Sequence, residues 1–222
     1  KGVPVVLLSM TGSAMDLSVA DKDANAILQV WYPGAGGGKE IGEILNGKTD
    51  PSGKLPVTVY KATSDLPEFT DYSMKGRTYR YIETTPLYPF GYGLTYSDIR
   101  LTEASIVSGD SFSKASEEGM VIKVKAENFS DIKGAQVVQV YVKNGDSNET
   151  LHPHLAAFER INVDPKATSQ IEIKVPAKAF TTVDDEGVRA VRGSSAKVFV
   201  GCGQPDERTK ELLDLKIFEF DI

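Results

Sequence analysis

The chain has 222 residues and a formal net charge of −6, because 31 aspartate and glutamate residues outnumber 25 lysine and arginine residues. This acidic balance argues against a nucleic-acid-binding surface, and a composition of 41% hydrophobic and 25% charged residues argues against disorder. No run approaches the roughly 18 apolar residues that a membrane span requires. Cys202 is the single cysteine and cannot form an intrachain disulfide, so the fold is expected to depend on packing alone.

Two apolar runs near the N-terminus predict strands of a parallel sheet that are buried on both faces. They cover residues 5–8 and 26–32, and residues 21–24 between them predict a helical turn. The first run lacks the basic region, length and cleavage site of a signal peptide, and the sequence has no initiator Met. We therefore expect the sequence to be part of a longer protein, and it favours neither a cytoplasmic nor a secreted location.

A glycine-rich turn at 33–38 precedes a predicted helix over 39–47. The helix has apolar residues at helical spacing, and Gly47 occupies the position of a left-handed C-terminal glycine. Such a turn can hold a phosphate on backbone N–H groups, but the sequence has neither the GxGxxG pattern nor the Gly-Lys-Ser/Thr of a P-loop. A structural turn is therefore favoured over a nucleotide site, and no cofactor is expected.

Residues 48–97 are rich in proline, glycine and tyrosine and follow neither a helical nor a strand period, which predicts an irregular segment. From Ile99 onward the apolar residues alternate with polar ones. At least five strands with no helix between them are expected, including runs at 121–124, 137–142, 171–175, 197–200 and 215–220. Turn residues separate these runs, so the second part of the chain is predicted to be an antiparallel β-sandwich.

From residue types and spacing alone, no group of residues forms a recognisable catalytic or metal site. His152 and His154 lack a third ligand at metal-binding spacing, and Ser13 lacks the Gly-x-Ser-x-Gly elbow of a nucleophilic serine. The acidic run 184–186 precedes Gly187 and is expected to be a solvated hairpin tip. Two sequons, at Asn128 and Asn148, fit N-glycosylation, but chance matches are common and we expect no glycan.

The irregular segment 48–97, called the aromatic segment because of its many tyrosine and phenylalanine residues, has two interpretations: a sugar subsite or a clasp between two domains. Arginines and aromatic rings stack in either setting, and the clasp is favoured. We expect Phe90, Tyr92 and Tyr96 to lie on one face against the sandwich, with Gly91 and Gly93 allowing close backbone approach. Arginines 77 and 80 would then cover those rings or pair with acidic neighbours.

Several motifs between residues 31 and 96 resemble the C-terminal half of family 3 glycoside hydrolases. They are Trp-Tyr-Pro-Gly at 31–34, Pro-Ser-Gly-Lys-Leu-Pro-Val-Thr at 51–58, Gly-Arg-Thr-Tyr-Arg-Tyr at 76–81 and Pro-Leu-Tyr-Pro-Phe-Gly-Tyr-Gly-Leu-Thr-Tyr at 86–96. The later part, at 134–142 and 158–160, is similar to that family's fibronectin type III-like domain. The resemblance implies an α/β then all-β chain: a partial α/β sandwich domain over 1–97, followed by an antiparallel fibronectin type III-like β-sandwich over 98–222.

The same resemblance implies a retaining, exo-acting β-glycosidase that releases terminal xylose or glucose from oligosaccharides, and residues 69–75 are similar to the β-xylosidase branch. In that family the nucleophilic aspartate lies in an N-terminal barrel and the acid/base glutamate lies upstream of the first strand present here. No residue is therefore assigned as catalytic, neither Asp16 nor Asp21, and the chain alone is expected to be inactive.

The expected partners are the missing barrel with the first part of the sandwich domain, and the oligosaccharide substrate, with no nucleic acid and no membrane. The candidate residues for substrate binding or for the interdomain contact are Tyr72, Arg77, Tyr79 and Arg80. The alternative function is a non-catalytic carbohydrate-binding or scaffolding module.

Overall fold

The fold begins with two short parallel strands in a computed structural model that describes residues 2–222. Strand β1 (Val6–Ser9) pairs with β2 (Ala26–Gln29) in register, and helix α1 (Ser18–Asp23) lies between them in sequence. Both predicted strands and their parallel pairing are confirmed. The second strand is shorter than expected because Trp31 adopts a left-handed backbone conformation with φ of 53°, which no strand can include.

Burial of this sheet on both faces, as expected from its apolar sequence, is wrong. The strands pack on one side against a small cluster of Leu17, Val59 and Leu87, while Val6 keeps 44% of its surface exposed. Other apolar side chains near it in sequence are exposed as well: Val3, Val5, Met10, Met15 and Val19. No further strand joins this pair within the described residues, whereas parallel sheets normally have more strands and are covered on both faces.

Helix α2 (Gly37–Leu45) follows the glycine-rich turn, and its C-terminus has the predicted glycine. Gly47 has a φ of 70°, and its N–H donates to the Ile44 carbonyl at 2.9 Å. The N–H of Lys48 donates to the Glu43 carbonyl at 2.8 Å, which completes a Schellman motif. The left-handed position predicted for Gly47 is confirmed.

Residues 48–97 are irregular, as predicted. They contain one 3₁₀ turn (Thr63–Asp65), the one-turn helix α3 (Thr78–Tyr81) and a single antiparallel bridge between Val59 and Tyr88. Strand β3 begins at Ile99, just beyond this segment. The division into domains at residues 97 and 98 stays a prediction.

The rest of the chain is an antiparallel β-sandwich, as predicted. One sheet has the strand order β3-β4-β7, the other has the order β11-β10-β5-β6, and β8 and β9 form a small separate ribbon. The strands are β3 (Ile99–Ser108), β4 (Met120–Asn128), β5 (Gly134–Asn144), β6 (His154–Val163), β7 (Thr168–Val175), β8 (Thr182–Val183), β9 (Arg189–Ala190), β10 (Ala196–Gly201) and β11 (Phe218–Asp221).

The sandwich core is built from alternate residues of the facing strands. Inward side chains include Ile122, Val124, Val138, Val140, Val142, Val198 and Val200, all fully buried. Phe180, at the end of the 3₁₀ turn Ala177–Phe180, closes the same core. A period of two is what places every second residue of a strand on the core face.

The expectation that no helix interrupts these strands is wrong. Helix α4 (Phe112–Glu118) joins β3 to β4, and helix α5 (Glu207–Leu212) joins β10 to β11. Helix α4 buries only Phe112 and Ala115, and the Asp206 carboxylate caps α5 by accepting from the Thr209 N–H at 2.6 Å. The predicted strand over 215–220 therefore begins only at Phe218. Helices of two turns or fewer show too few periodic positions to stand out from loops.

Candidate functional site

The most specific arrangement in the structure is an aromatic cluster formed by Tyr79, Phe90 and Tyr141. The Tyr79 and Phe90 rings are stacked with centroids 4.3 Å apart and planes 18° apart. Tyr79 also meets Tyr141 edge-on, with centroids 6.2 Å apart and planes 83° apart. Tyr141 lies on β5 and is fully buried. The cluster therefore connects the irregular segment directly to the central strands of the sandwich.

Hydrogen bonds complete this contact. The Tyr79 hydroxyl oxygen accepts from the Leu155 N–H at 2.9 Å, and the Tyr141 hydroxyl donates to Oε1 of Gln139 at 2.7 Å. The Nε2 of Gln139 in turn donates to the Gly91 carbonyl at 3.0 Å. Burial raises the pKa of both tyrosine hydroxyls above their ordinary value. Both phenols therefore remain neutral hydrogen-bonding groups at physiological pH.

Gly91 and Gly93 permit the close backbone approach that was expected of them. Gly91 has a φ of 78°, and a Cβ built there would lie 2.2 Å from Oε1 of Gln139. A Cβ on Gly93 would lie 2.4 Å from the Gly53 carbonyl oxygen. Side chains at these positions would displace either the glutamine that reaches Gly91 or the backbone beneath Gly93.

The expectation that Phe90, Tyr92 and Tyr96 share one face is wrong. Tyr92 stacks on Tyr88 at 5.3 Å, and the Tyr96 hydroxyl donates to the Ile44 carbonyl at the end of α2. Phe90 alone of the three stacks on the cluster with Tyr141. The left-handed conformation of Gly91 is the physical reason, because it breaks the two-residue alternation of an extended chain.

Polar contacts from other elements extend the join between the irregular segment and the sandwich. The guanidinium of Arg208, on α5, donates two hydrogen bonds to the Leu87 carbonyl at 3.1 and 3.2 Å. His152 reaches the Ile82 carbonyl at 2.7 Å through Nε2. Within the segment itself, Asp50 accepts from the Tyr96 N–H at 2.6 Å and from the Ser97 hydroxyl at 2.5 Å. Hydrogen bonds thus hold the segment at several points along its length.

Arg77 neither covers the rings nor pairs with an acid, so that expectation is wrong for this residue. Its guanidinium donates to three backbone carbonyls, those of Glu68 at 3.0 Å, Asp71 at 2.5 Å and Ser73 at 3.1 Å. A planar guanidinium carries five N–H donors, which lets one side chain hold three carbonyls. The result is a braced loop, residues 68–76, that presents Phe69 and Tyr72 each 90% exposed.

Arg80 has a different environment from Arg77, and the expected ring cover or acid pair is absent here too. It lines an open cavity of about 450 Å³ between α3, the loop before β6 and the ribbon of β8 and β9. Its Nε is buried and has no hydrogen-bond partner within residues 2–222. No carboxylate of the described chain lies within ion-pair distance of it. Tyr72, Arg77, Tyr79 and Arg80 are therefore not gathered into one site.

Glu149 lies in the wall of the same cavity with a side chain only 4% exposed. Its Oε2 accepts from the backbone and side-chain N–H groups of Asn144 at 3.1 and 2.7 Å, and its Oε1 accepts from the N–H and hydroxyl of Thr150 at 2.8 and 3.1 Å. Burial alone would raise the pKa of Glu149, but His154 and these hydrogen bonds outweigh it and lower the pKa to about 2.

The remaining candidate groups have structural settings. In the acidic run between β8 and β9, Asp185 and Glu186 are exposed as expected of a solvated tip, but Asp184 is half-buried and pairs with Arg192 at 2.5 Å. Asn128 is buried, and its amide donates to the Ile132 and Val163 carbonyls. Across residues 2–222, no three metal-ligating side chains come together. Within that range no helix combines the length and the apolar surface needed to cross a bilayer.

Known protein families match both parts of this architecture. A model described as the glycosyl hydrolase family 3 C-terminal domain matches residues 1–96, and a model of the fibronectin type III-like domain matches residues 136–204. The chain contains a domain of glycoside hydrolase family 3. It carries that family's C-terminal domain followed by the fibronectin type III-like domain, as its motifs indicated.

Individual relatives agree with this assignment. A xylan 1,4-beta-xylosidase from Xylanibacter ruminicola is 31% identical over 95% of the chain, and a periplasmic beta-glucosidase from Salmonella typhimurium is 28% identical over 90% of it. The family 3 chain spans 24% and 28% of the lengths of these two proteins. A solved β-D-glucoside glucohydrolase from Trichoderma reesei shares the fold, with a TM-score of 0.81 at 20% identity over 99% of this chain and 33% of its own.

The aromatic cluster predicts a large effect of truncating Phe90. We expect Phe90→Ala to lower the free energy of unfolding of the family 3 chain by about 3 kcal/mol, because the ring loses its stack on Tyr79 and leaves a void. Urea denaturation followed by tyrosine fluorescence measures this. Phe69→Ala is the matched control: that ring is 90% exposed, and its loss is expected to change stability by less than about 0.5 kcal/mol. Equal stability of the two variants would contradict a stabilising role for the cluster.

The carboxylate of Glu149 predicts a pH-dependent contribution to stability. Its pKa of about 2 in the folded chain lies below the ordinary 4.5, so the ionised form is stabilised by folding. We expect Glu149→Gln to cost roughly 2–3 kcal/mol at pH 7. The difference from the unmodified chain should shrink as the pH falls from about 5 towards 2. Thermal denaturation over this range measures it, with the exposed Glu186→Gln as control, and a pH-independent difference would contradict the assignment.

Proposed function

We propose that the chain is the C-terminal part of a retaining, exo-acting β-glycosidase that releases terminal β-linked xylose or glucose from oligosaccharides. The observation that carries the proposal is that the chain matches the family 3 C-terminal domain and the fibronectin type III-like domain. Its relatives include proteins named as a β-xylosidase and a β-glucosidase. Retaining hydrolysis requires two carboxyl groups that flank the scissile bond. In this proposal both belong to the preceding part of the protein, and the present chain supports and positions the substrate-facing loops.

The uncovered sheet of β1 and β2 supports a partner on the N-terminal side. Val6 and the neighbouring apolar side chains are exposed, although parallel strands are stable chiefly when both faces are covered. Strands and helices of a preceding region of the same α/β sandwich domain would bury this surface. We propose that this region and a catalytic barrel are the missing partners of the chain.

The braced loop at 68–76 supports a role in holding sugar. An exposed tyrosine on a loop that is already rigid loses little conformational freedom when a sugar ring stacks on it. We propose that Tyr72 contacts the oligosaccharide, that Arg77 is a positioning residue for this loop, and that Tyr79 and Arg80 serve the interdomain join. The exposure of Phe69 and Tyr72 equally fits the second candidate, a carbohydrate-binding module without catalysis.

Hydrolysis assays separate the two functions. The purified 222-residue chain is expected to show no turnover of aryl β-xylosides or β-glucosides. The longer natural protein is expected to hydrolyse one of them with retention. The anomeric proton signals of the first-formed sugar, recorded by NMR, show whether the configuration is retained. Turnover by the chain alone that disappears when one of its own carboxylates is replaced would overturn the proposal. An inert longer protein that still binds the oligosaccharide would instead favour the module.

Replacement of Tyr72 in the longer protein tests the sugar contact. We expect Tyr72→Ala to lower kcat/KM on an oligosaccharide about tenfold, since one lost stacking contact corresponds to about 1.4 kcal/mol. Phe158→Ala is the matched control, because Phe158 is a 63% exposed ring on β6 of the sandwich. Equal kinetics for Tyr72→Ala and the unmodified enzyme would remove Tyr72 from the substrate site.

A further inference from the structure

The cavity beside Arg80 contains an excess of positive charge that no ion pair within the described residues neutralises. Its walls include the cationic side chains of Arg80, Lys178 and Arg189, against the single carboxylate of Glu149. Arg189 donates to the Thr181 hydroxyl at 2.9 Å, which is a neutral partner. The cavity therefore has a net excess of two positive charges before His154 is counted.

Glu149 is not free to neutralise these cations. Each of its oxygens accepts two hydrogen bonds from Asn144 or Thr150, so its acceptor positions are occupied. The Nδ1 of His154 lies 3.5 Å from Oε1, and the nearby Lys143 ammonium donates to the Thr150 carbonyl. An incoming ligand would therefore meet the donors of Arg80 and Arg189 rather than an available carboxylate.

The donor chemistry of Arg80 defines what the cavity lacks. Its guanidinium donates to no acceptor within the described residues: the Nε is buried beyond the reach of a ligand, and the two terminal nitrogens are accessible at the cavity. The fork of a guanidinium matches two oxygens of a carboxylate or phosphate. The volume of about 450 Å³ exceeds that of a single inorganic ion and lies in the range of small-molecule sites.

We propose that this cavity is a binding site for a small organic oxyanion, a carboxylate or a phosphate ester, held by Arg80 with support from Arg189 and Lys178. The site lies between α3 and the sandwich, so an occupant would contact both parts of the chain at once. It is separate from the exposed loop at 68–76 proposed to hold sugar, and the inference goes beyond the proposed glycosidase function.

Isothermal titration calorimetry of the chain at constant ionic strength tests the proposal, with citrate and inorganic phosphate as probes and xylose as the neutral control. We expect one-to-one binding of at least one anion, and the two titrations distinguish carboxylate from phosphate chemistry. Arg80→Gln is expected to weaken that binding at least about tenfold. Lys123→Gln, which removes an exposed charge on β4, is expected to leave it unchanged.

A second variant covers the case in which Arg80→Gln does not fold. Arg189 is exposed, so Arg189→Gln is expected to fold normally and to weaken anion binding several-fold. Amide shifts of Leu155 and Ala179, which line the cavity, should report the bound anion by NMR. The proposal is overturned if neither anion binds, if xylose binds as tightly, or if the arginine variants bind no more weakly than Lys123→Gln.

Discussion

The stacking of Phe90 on Tyr79, together with the edge-on contact of Tyr79 with Tyr141, is the contact on which the rest of the arrangement depends. Residues 48–97 have one isolated bridge and a few backbone hydrogen bonds, such as those of Leu55 with Gly91 and Tyr92, so side chains must hold much of the segment. The three rings bury one another, Tyr79 and Phe90 face to face and Tyr141 edge-on, and leave two hydroxyls to be satisfied. Those hydroxyls find Leu155 and Gln139, so apolar burial and hydrogen bonding occur at the same place.

Around this contact, the polar groups divide into satisfied and unsatisfied ones. Arg77 donates only to backbone carbonyls, whereas Arg208 donates to the Leu87 carbonyl and also pairs with Glu211. Glu149 is fully bonded by its neighbours. Arg80 differs, since its buried Nε has no partner in the described chain. Arginine is well suited to irregular segments, because one guanidinium can bind several exposed carbonyls that no hydrogen-bonded ladder pairs.

Much of the architecture could be predicted from the sequence, because its signals are local. The alternation of β4 and β5, Gly47 at the end of α2 and the motifs at 76–81 and 86–96 all lie within short windows. The burial of β1 could not, since apolar residues indicate a covered strand whether or not the covering layer is in the sequence at hand. The directions in which the Tyr92 and Tyr96 side chains point could not be predicted either, because they depend on the left-handed conformation of Gly91. Glu149 and Arg80 meet only through folding, and no sequence spacing signals a shared cavity.

Strand β5 has no solvent face along most of its length. Its even-numbered valines, Val138, Val140 and Val142, point into the sandwich, while Gln139 and Tyr141 point outward and are buried all the same by the irregular segment. In an ordinary sandwich that outward face would be polar and wet. The fibronectin type III-like part is thus not a portable module: grafted onto another protein without residues 76–93, it would present a tyrosine and a glutamine shaped for a neighbour it no longer has.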